Sequence, residues 1–168
     1  MTKRLILIRH AKSSWDAPLD DHARSLNARG RRSALAVGKW LRGQGHVPEA
    51  IYSSDAARTA ETTALLKEGL EAAPPVTFRS NMYHANPETL MNVLKGAEGD
   101  VVALVAHNPG IAYFAEAIVA AAPDHPRFVD YPTCATLVCD FPITTWADAS
   151  PASAQVVDFI VPRDLLGG

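Results

Sequence analysis

The sequence predicts an α/β fold, a three-layer α/β/α sandwich on a mainly parallel central sheet. Two observations predict it. Apolar runs of strand length alternate with longer segments whose apolar residues recur at helical spacing, the rhythm that lays helices on both faces of a sheet. Three of the runs end in Arg, His or Ser followed by a polar turn, as strands do at the carboxyl edge where open α/β sheets bind ligands. At 168 residues, without repeat, linker or low-complexity tract, the chain fits one domain over 1–168. A domain near this size buries about 70% of its unfolded surface.

The elements follow in order. Residues 3–9 are the first strand, with Leu5-Ile6-Leu7-Ile8 at its centre. Residues 14–25, with Trp15, Pro18 and Asp20-Asp21, read as a polar loop over the site. Asn27 caps a helix to about Arg42, on which Ala34, Leu35, Val37, Gly38 and Leu41 fall at helical spacing and which Gly43 stops. A second strand over 50–53 precedes a helix over 56–68, and 76–79 is a short strand. Asn86-Pro87-Glu88 opens another helix with proline in its first turn. Residues 100–106 form a central strand, and 111–121 an apolar, buried helix. Strands over 136–140 and 155–161 flank a polar turn over 142–153.

Composition narrows the function. A net charge of −2 gives no electrostatic footprint for nucleic acid or an anionic membrane. No apolar stretch approaches the roughly 20 residues that span a bilayer, and Arg9 cuts the N-terminal apolar run too short for a signal peptide, so the expected location is cytoplasmic. Cys134 and Cys139 lie five apart in a run, 133–139, that reads as a strand. Extended, that is about 16 Å with the side chains on opposite faces, too far for a disulfide. The six histidines lack metal-binding spacing, so no metal or other cofactor is expected.

The chemistry lies at three strand ends. The first strand delivers Arg9-His10-Ala11-Lys12-Ser13. The second runs through Ser53-Ser54-Asp55-Ala56-Ala57-Arg58-Thr59-Ala60-Glu61-Thr62, placing Arg58 in the first turns of a helix. The central strand ends in His107-Asn108-Pro109-Gly110. Taken singly, each is ordinary: a solvated Arg9, a hydrogen-bonded His10 or His107, an Arg58 facing water beside Glu61. Together they place four cationic or potentially cationic groups where they can converge on one anion. Arginine is a permanently charged fork suited to phosphate, and histidine is a nucleophile that titrates near neutral pH. The exposed charges of Arg29, Arg31, Arg32 and Lys39 read as helix surface, and Trp15 and Trp40 as packing residues.

In order and strand context these motifs resemble the histidine phosphatase superfamily, and within it the small SixA-like phosphohistidine phosphatases, over roughly residues 3–122. One departure is Ala11, where the superfamily usually has glycine. The resemblance implies a phosphoglycerate mutase-like fold and a metal-independent phosphatase. His10 would be its nucleophile, with one ring nitrogen donating to a backbone carbonyl. Arg9 and Arg58 would clamp the phosphate, His107 would add a third positive partner once protonated in the phosphate's field, and Ser13 and the amides of 11–13 would add donors. Larger members carry a carboxylate that protonates an alcohol leaving group. Here the corresponding segment, Met82-Tyr83-His84-Ala85-Asn86-Pro87-Glu88, offers His84 first and Glu88 second.

Imidazole leaving from phosphohistidine is far less basic than an alkoxide and needs less help from an acid. Short spacers between motifs imply an open site. Both favour phosphohistidine displayed on a protein, such as a histidine phosphotransfer domain. Two alternatives stand beside it: a small-molecule phosphomonoesterase or mutase using the same His10, and a phosphate- or phosphoprotein-binding module whose catalysis has decayed.

Overall fold

The computed structural model describes residues 1–16 and 18–167. In chain order the elements are β1 (Lys3–Arg9), α1 (Ala28–Gly43), β2 (Ala50–Ser54), α2 (Ala57–Leu70), β3 (Val76–Arg79), α3 (Pro87–Lys95), β4 (Val101–Ala106), α4 (Gly110–Ile118), β5 (Thr136–Phe141), β6 (Gln155–Ile160) and α5 (Pro162–Leu166). Single 3₁₀ turns occupy Asp21–Ala23, Ser80–Met82 and Trp146–Asp148. The six strands form one sheet in the order β3-β2-β4-β1-β5-β6. β1, β2, β3 and β4 run parallel, while β5 is antiparallel to both β1 and β6.

The period-two pattern of β1 splits the interior into two cores. Leu5 and Leu7 point to one face, against Leu90 and Leu94 of α3 and Ile111 and Phe114 of α4. Ile6 and Ile8 point to the other, against Val37 and Leu41 of α1 and Leu66 and Leu70 of α2. The predicted three layers and mainly parallel sheet are therefore present.

Parallel pairing brings three carboxyl ends to one edge. Arg9 lies opposite Ala106, and Ser53 opposite Val105, so the residues that follow each strand emerge side by side. Asn27 caps α1 as expected, its side chain accepting from the Gly30 amide at 2.8 Å. Asn86 does the same for α3 through Thr89 at 2.9 Å.

Several boundaries differ. α4 stops at Ile118, short of 121, because the chain turns extended there: Val119 bridges Ala154, and the Ala120 amide donates to the Ala154 carbonyl at 2.8 Å. α5 was not expected, being one short turn started by Pro162. The polar stretch 142–153 holds a buried Trp146 whose indole N–H donates to the Gly99 carbonyl at 2.7 Å. The cysteine-bearing strand begins only at Thr136; Cys134 precedes it, with φ 61°. Both cysteines are free and buried, and burial pushes the Cys134 thiol up to about 12. No described helix is long and apolar enough to cross a membrane.

Gly110, the first residue of α4, is where this helix meets the segment carrying His84. A Cβ there would lie 1.7 Å from the Ala85 carbonyl oxygen, which is backbone and cannot swing away. Gly110→Ala is therefore expected to lower stability by about 1–3 kcal/mol in urea unfolding. An unchanged midpoint would show that the helix and the segment are not in close contact.

Candidate active site

β1 ends between two neighbours that fix its last residues. The Arg9 amide donates to the Ala135 carbonyl at 3.1 Å, and the His10 amide to the Ala106 carbonyl at 3.1 Å. The His10 carbonyl in turn accepts from the Cys134 amide at 2.9 Å. His10 is thus held on both sides and is only 6% exposed. Its Nδ1 lies 2.7 Å from the Ala11 carbonyl, which can only accept, so Nδ1 carries the proton and Nε2 keeps its lone pair. This is the backbone contact expected of a nucleophilic His10. Ala11 is fully buried and is not among the described residues with positive φ, so the methyl that replaces the usual hydrogen forces no strain.

Around His10 lies a cavity of about 310 Å³. Arg9, His10, Ser13, Arg58, His84 and His107 all line it. Arg9 reaches it from β1, with one guanidinium nitrogen donating to the Tyr131 carbonyl at 3.2 Å. Burial first, then the Arg58 charge, lowers the Arg9 pKa. Arg58 is 2% exposed, unlike the water-facing reading of a first-turn arginine. Thr62, one turn further along α2, donates to the Arg58 carbonyl at 2.6 Å and accepts from the Ala11 amide at 3.0 Å. The same hydroxyl therefore ties the turn after His10 to the helix that carries Arg58. The Nε atoms of both arginines are buried without a partner among the described residues.

His107 follows β4, with its ring 5.2 Å from that of His10. Its Nε2 lies 2.8 Å from the Ser54 hydroxyl, and its Nδ1 is buried without a partner among the described residues. Burial, followed by the proximity of His10 and Arg58, pushes its pKa down to about 2. In the free pocket, with no phosphate present, His107 is neutral. His10 is likewise pushed down to about 3, by burial against the weaker upward pull of the Ala11 carbonyl, with Arg9 and Arg58 lowering it further.

Ser13 faces the cavity; its oxygen accepts from Arg24 at 2.6 Å and its own hydrogen stays available to donate. Several expectations need correction. The Ala11 amide is taken by Thr62. Glu88 lies in the first turn of α3 and lines a separate hollow between α3 and α4, so of the two acid candidates only His84 is at the site. Trp15 is 78% exposed and not a packing residue; the Arg24 guanidinium stacks on its ring at 3.5 Å. Trp40 does pack, on the α1–α2 core.

Asp21, Tyr83 and Arg24 were missed as site residues. The Asp21 carboxylate accepts from Arg58 at 3.0 Å, from Arg24 at 2.9 Å, from the Tyr83 hydroxyl, and pairs with His84 Nε2 at 3.0 Å. Its carbonyl accepts from Arg58 at 2.6 Å. The Tyr83 hydrogen bond above all, then those of the arginines and His84, holds the Asp21 carboxyl well below the usual carboxylate range. The only signal in the sequence was the acidic pair at 20–21 in a loop between motifs. Among the described residues no group of three or more His, Cys, Asp or Glu is placed to hold a metal.

Comparison with known proteins agrees with this geometry. The sequence profile of the histidine phosphatase superfamily (branch 1) matches residues 5–82. An uncharacterized protein of Mycobacterium leprae is 32% identical over 166 residues, covering 93% of this chain and all of its own. Among solved structures, one designated phosphohistidine phosphatase SixA from Agrobacterium tumefaciens has a TM-score of 0.78 at 28% identity, covering 95% of this chain and 98% of that one. Another of that designation, from Nakamurella multipartitia, has a TM-score of 0.79 at 26% identity, covering 96% and 97%.

The lowered histidines carry a sign. Unfolded, each titrates near 6.5; folded, His10 titrates near 3 and His107 near 2. Between those values the unfolded chain binds more protons, so stability falls as pH drops below about 6.5, by up to roughly 1.4 kcal/mol per pH unit per histidine. Urea midpoints from pH 7 to pH 4.5 should decline, and the decline should flatten in His10→Asn/His107→Asn. An identical slope in that variant would contradict the assignment.

Proposed function

We infer the reaction from one premise: the chain belongs to the histidine phosphatase superfamily. Its fold is that of the SixA-like branch, and it is a phosphatase. Beyond that, we propose that it removes phosphate from phosphohistidine carried on a protein, such as a histidine phosphotransfer domain, through a phosphohistidine on its own His10 and without a metal. The observation that carries this reading is a neutral His10, fixed by Ala11, in one cavity with the charged Arg9 and Arg58.

A phosphoryl group brings up to two negative charges, which repel a nucleophile unless neutralised. Arg9 and Arg58 supply that charge, as Mg²⁺ does in other phosphoryl transfer enzymes. The lone pair of His10 Nε2 forms the new N–P bond as the substrate's P–N bond breaks. That electron pair passes to the substrate imidazole, which takes a proton from His84 or water. His10 keeps its Nδ1 proton on Ala11 throughout. Water then attacks phosphorus, one of its protons stays on the departing phosphate, the other restores the group that protonated the imidazole, and His10 regains its lone pair. A bound phosphate reverses the electrostatics at His107, whose Nδ1 has no partner among the described residues and is available to a phosphate oxygen.

Asp21 positions this machinery by holding Arg58 and His84 to one carboxylate. The mouth of the cavity is open, since Lys12, Trp15 and His84 on its wall are all exposed. Such a mouth suits a side chain displayed on a protein surface.

Phosphate release from a phosphorylated histidine phosphotransfer domain, measured in EDTA, tests the proposal. Wild type should release phosphate, and His10→Ala should lose the activity by roughly 10³-fold or more. Release confined to small phosphate esters would move the assignment to a phosphomonoesterase. Retained binding of the phosphorylated domain with no release by wild type would leave a binding module.

A further inference from the structure

Beside the catalytic cavity lies a second feature that the phosphatase chemistry does not use. A hollow of about 170 Å³ shares Lys12 and Thr133 with the cavity wall and is also lined by Arg29, Arg127 and Arg163. Next to it, a hollow of about 220 Å³ shares Arg29 and Ser33 and adds Arg32. Five cations therefore line one continuous track that starts at the cavity, and among the described residues no Asp or Glu lines either hollow.

The asymmetry stands out against the chain as a whole, which has 16 Lys and Arg against 18 Asp and Glu. Five of the sixteen lie on this track. All five are exposed, and only Arg127 has an ion-pair partner, Asp130, at 2.8 Å; among the described residues Lys12, Arg29, Arg32 and Arg163 form no ion pair.

The track is also rigidly joined to the nucleophile. The Lys12 carbonyl, two residues beyond His10, accepts from the Asn27 amide at 3.0 Å. A Cβ on Gly30 would lie 2.1 Å from that same oxygen, so the first turn of α1 presses directly on the turn after His10. Arg29 and Arg32 ride on that part of α1.

We propose that this track docks an acidic stretch of the protein that presents the phosphohistidine, its carboxylates lying along Lys12, Arg29, Arg32 and Arg163 while the phosphoryl group enters the cavity. The inference rests on the phosphohistidine reading above and adds what the partner's surface looks like. Exposed charges at a rim act mainly by steering encounter and excluding wrong partners. The track therefore selects among phosphoproteins and leaves the chemical step alone.

Three probes separate the claims: phosphoimidazole, and two phosphohistidine peptides differing only in flanks of Glu or of Gln. Wild type should cleave the Glu-flanked peptide with kcat/KM about tenfold above the Gln-flanked one, a gap that shrinks as salt rises. In Arg29→Glu/Arg163→Glu the preference should vanish while phosphoimidazole turnover is unchanged. Both positions are exposed, and an acid in the first turn of α1 suits the helix dipole, so the variant should fold.

Equal wild-type rates on the two peptides, or a preference that survives the reversal, would overturn the docking proposal alone. Equally strong inhibition by a random-sequence oligonucleotide would mark a general polyanion surface and overturn it too. No cleavage of any probe by wild type would overturn the phosphohistidine reading and this one with it.

Discussion

Like charges crowded into a buried pocket repel one another, and the way this chain settles that repulsion shapes its whole site. Arg9, Arg58, His10 and His107 lie together in one cavity, and all four cannot carry charge there without an anion. The arginines keep theirs, because guanidinium does not lose its proton in proteins. The histidines give theirs up: burial and the arginine charges hold His10 and His107 neutral. For His10 that neutrality is a lone pair on Nε2, since Nδ1–H is committed to Ala11. The crowding thus leaves His10 with the free lone pair that the proposed reaction uses. Asp21 supplies the remaining balance, bridging Arg24 and Arg58 at the mouth.

The fold makes this crowding sustainable by fixing backbone before side chains. β1 sits between parallel β4 and antiparallel β5, so His10 is gripped by Ala106 on one side and Cys134 on the other. Behind it stands Tyr131, fully buried, whose hydroxyl donates to the Leu7 carbonyl and accepts from the Leu137 amide at 3.1 Å. Its carbonyl accepts from Arg9 and from Asn108 at 3.2 Å each. One residue thus braces β1, β5, the first arginine and the residue after His107. Thr62 does the equivalent on the other side, between Ala11 and Arg58.

What was legible in the sequence follows from distance along the chain. β1, α1 and α3 were readable because their signals are local: apolar alternation, an Asn cap, a proline in the first turn. The convergence of Arg9, His10, Arg58 and His107 was readable because parallel strands deliver their carboxyl ends to one edge. The end of α4 was not, because Val119 is as apolar as the helix before it, and only its bridge to Ala154 turns the chain. Asp21 was hidden for a similar reason. Its partners Arg58, Tyr83 and His84 lie 37, 62 and 63 residues away, and no local pattern marks one aspartate of a polar loop as their common acceptor. Glu88 shows the converse: a carboxylate in the right segment that the first turn of α3 carries away from the cavity.

The central claim is that His10 attacks through Nε2 while its Nδ1 proton stays on Ala11. Rapid quenching during turnover of a phosphohistidine substrate, followed by peptide mass spectrometry and ³¹P NMR under alkaline conditions, tests it most directly. The account predicts an alkali-stable, acid-labile phosphoryl group on His10, at Nε2. Phosphate on Nδ1 or on another residue, or turnover with no phosphoenzyme at any quench time, would contradict it.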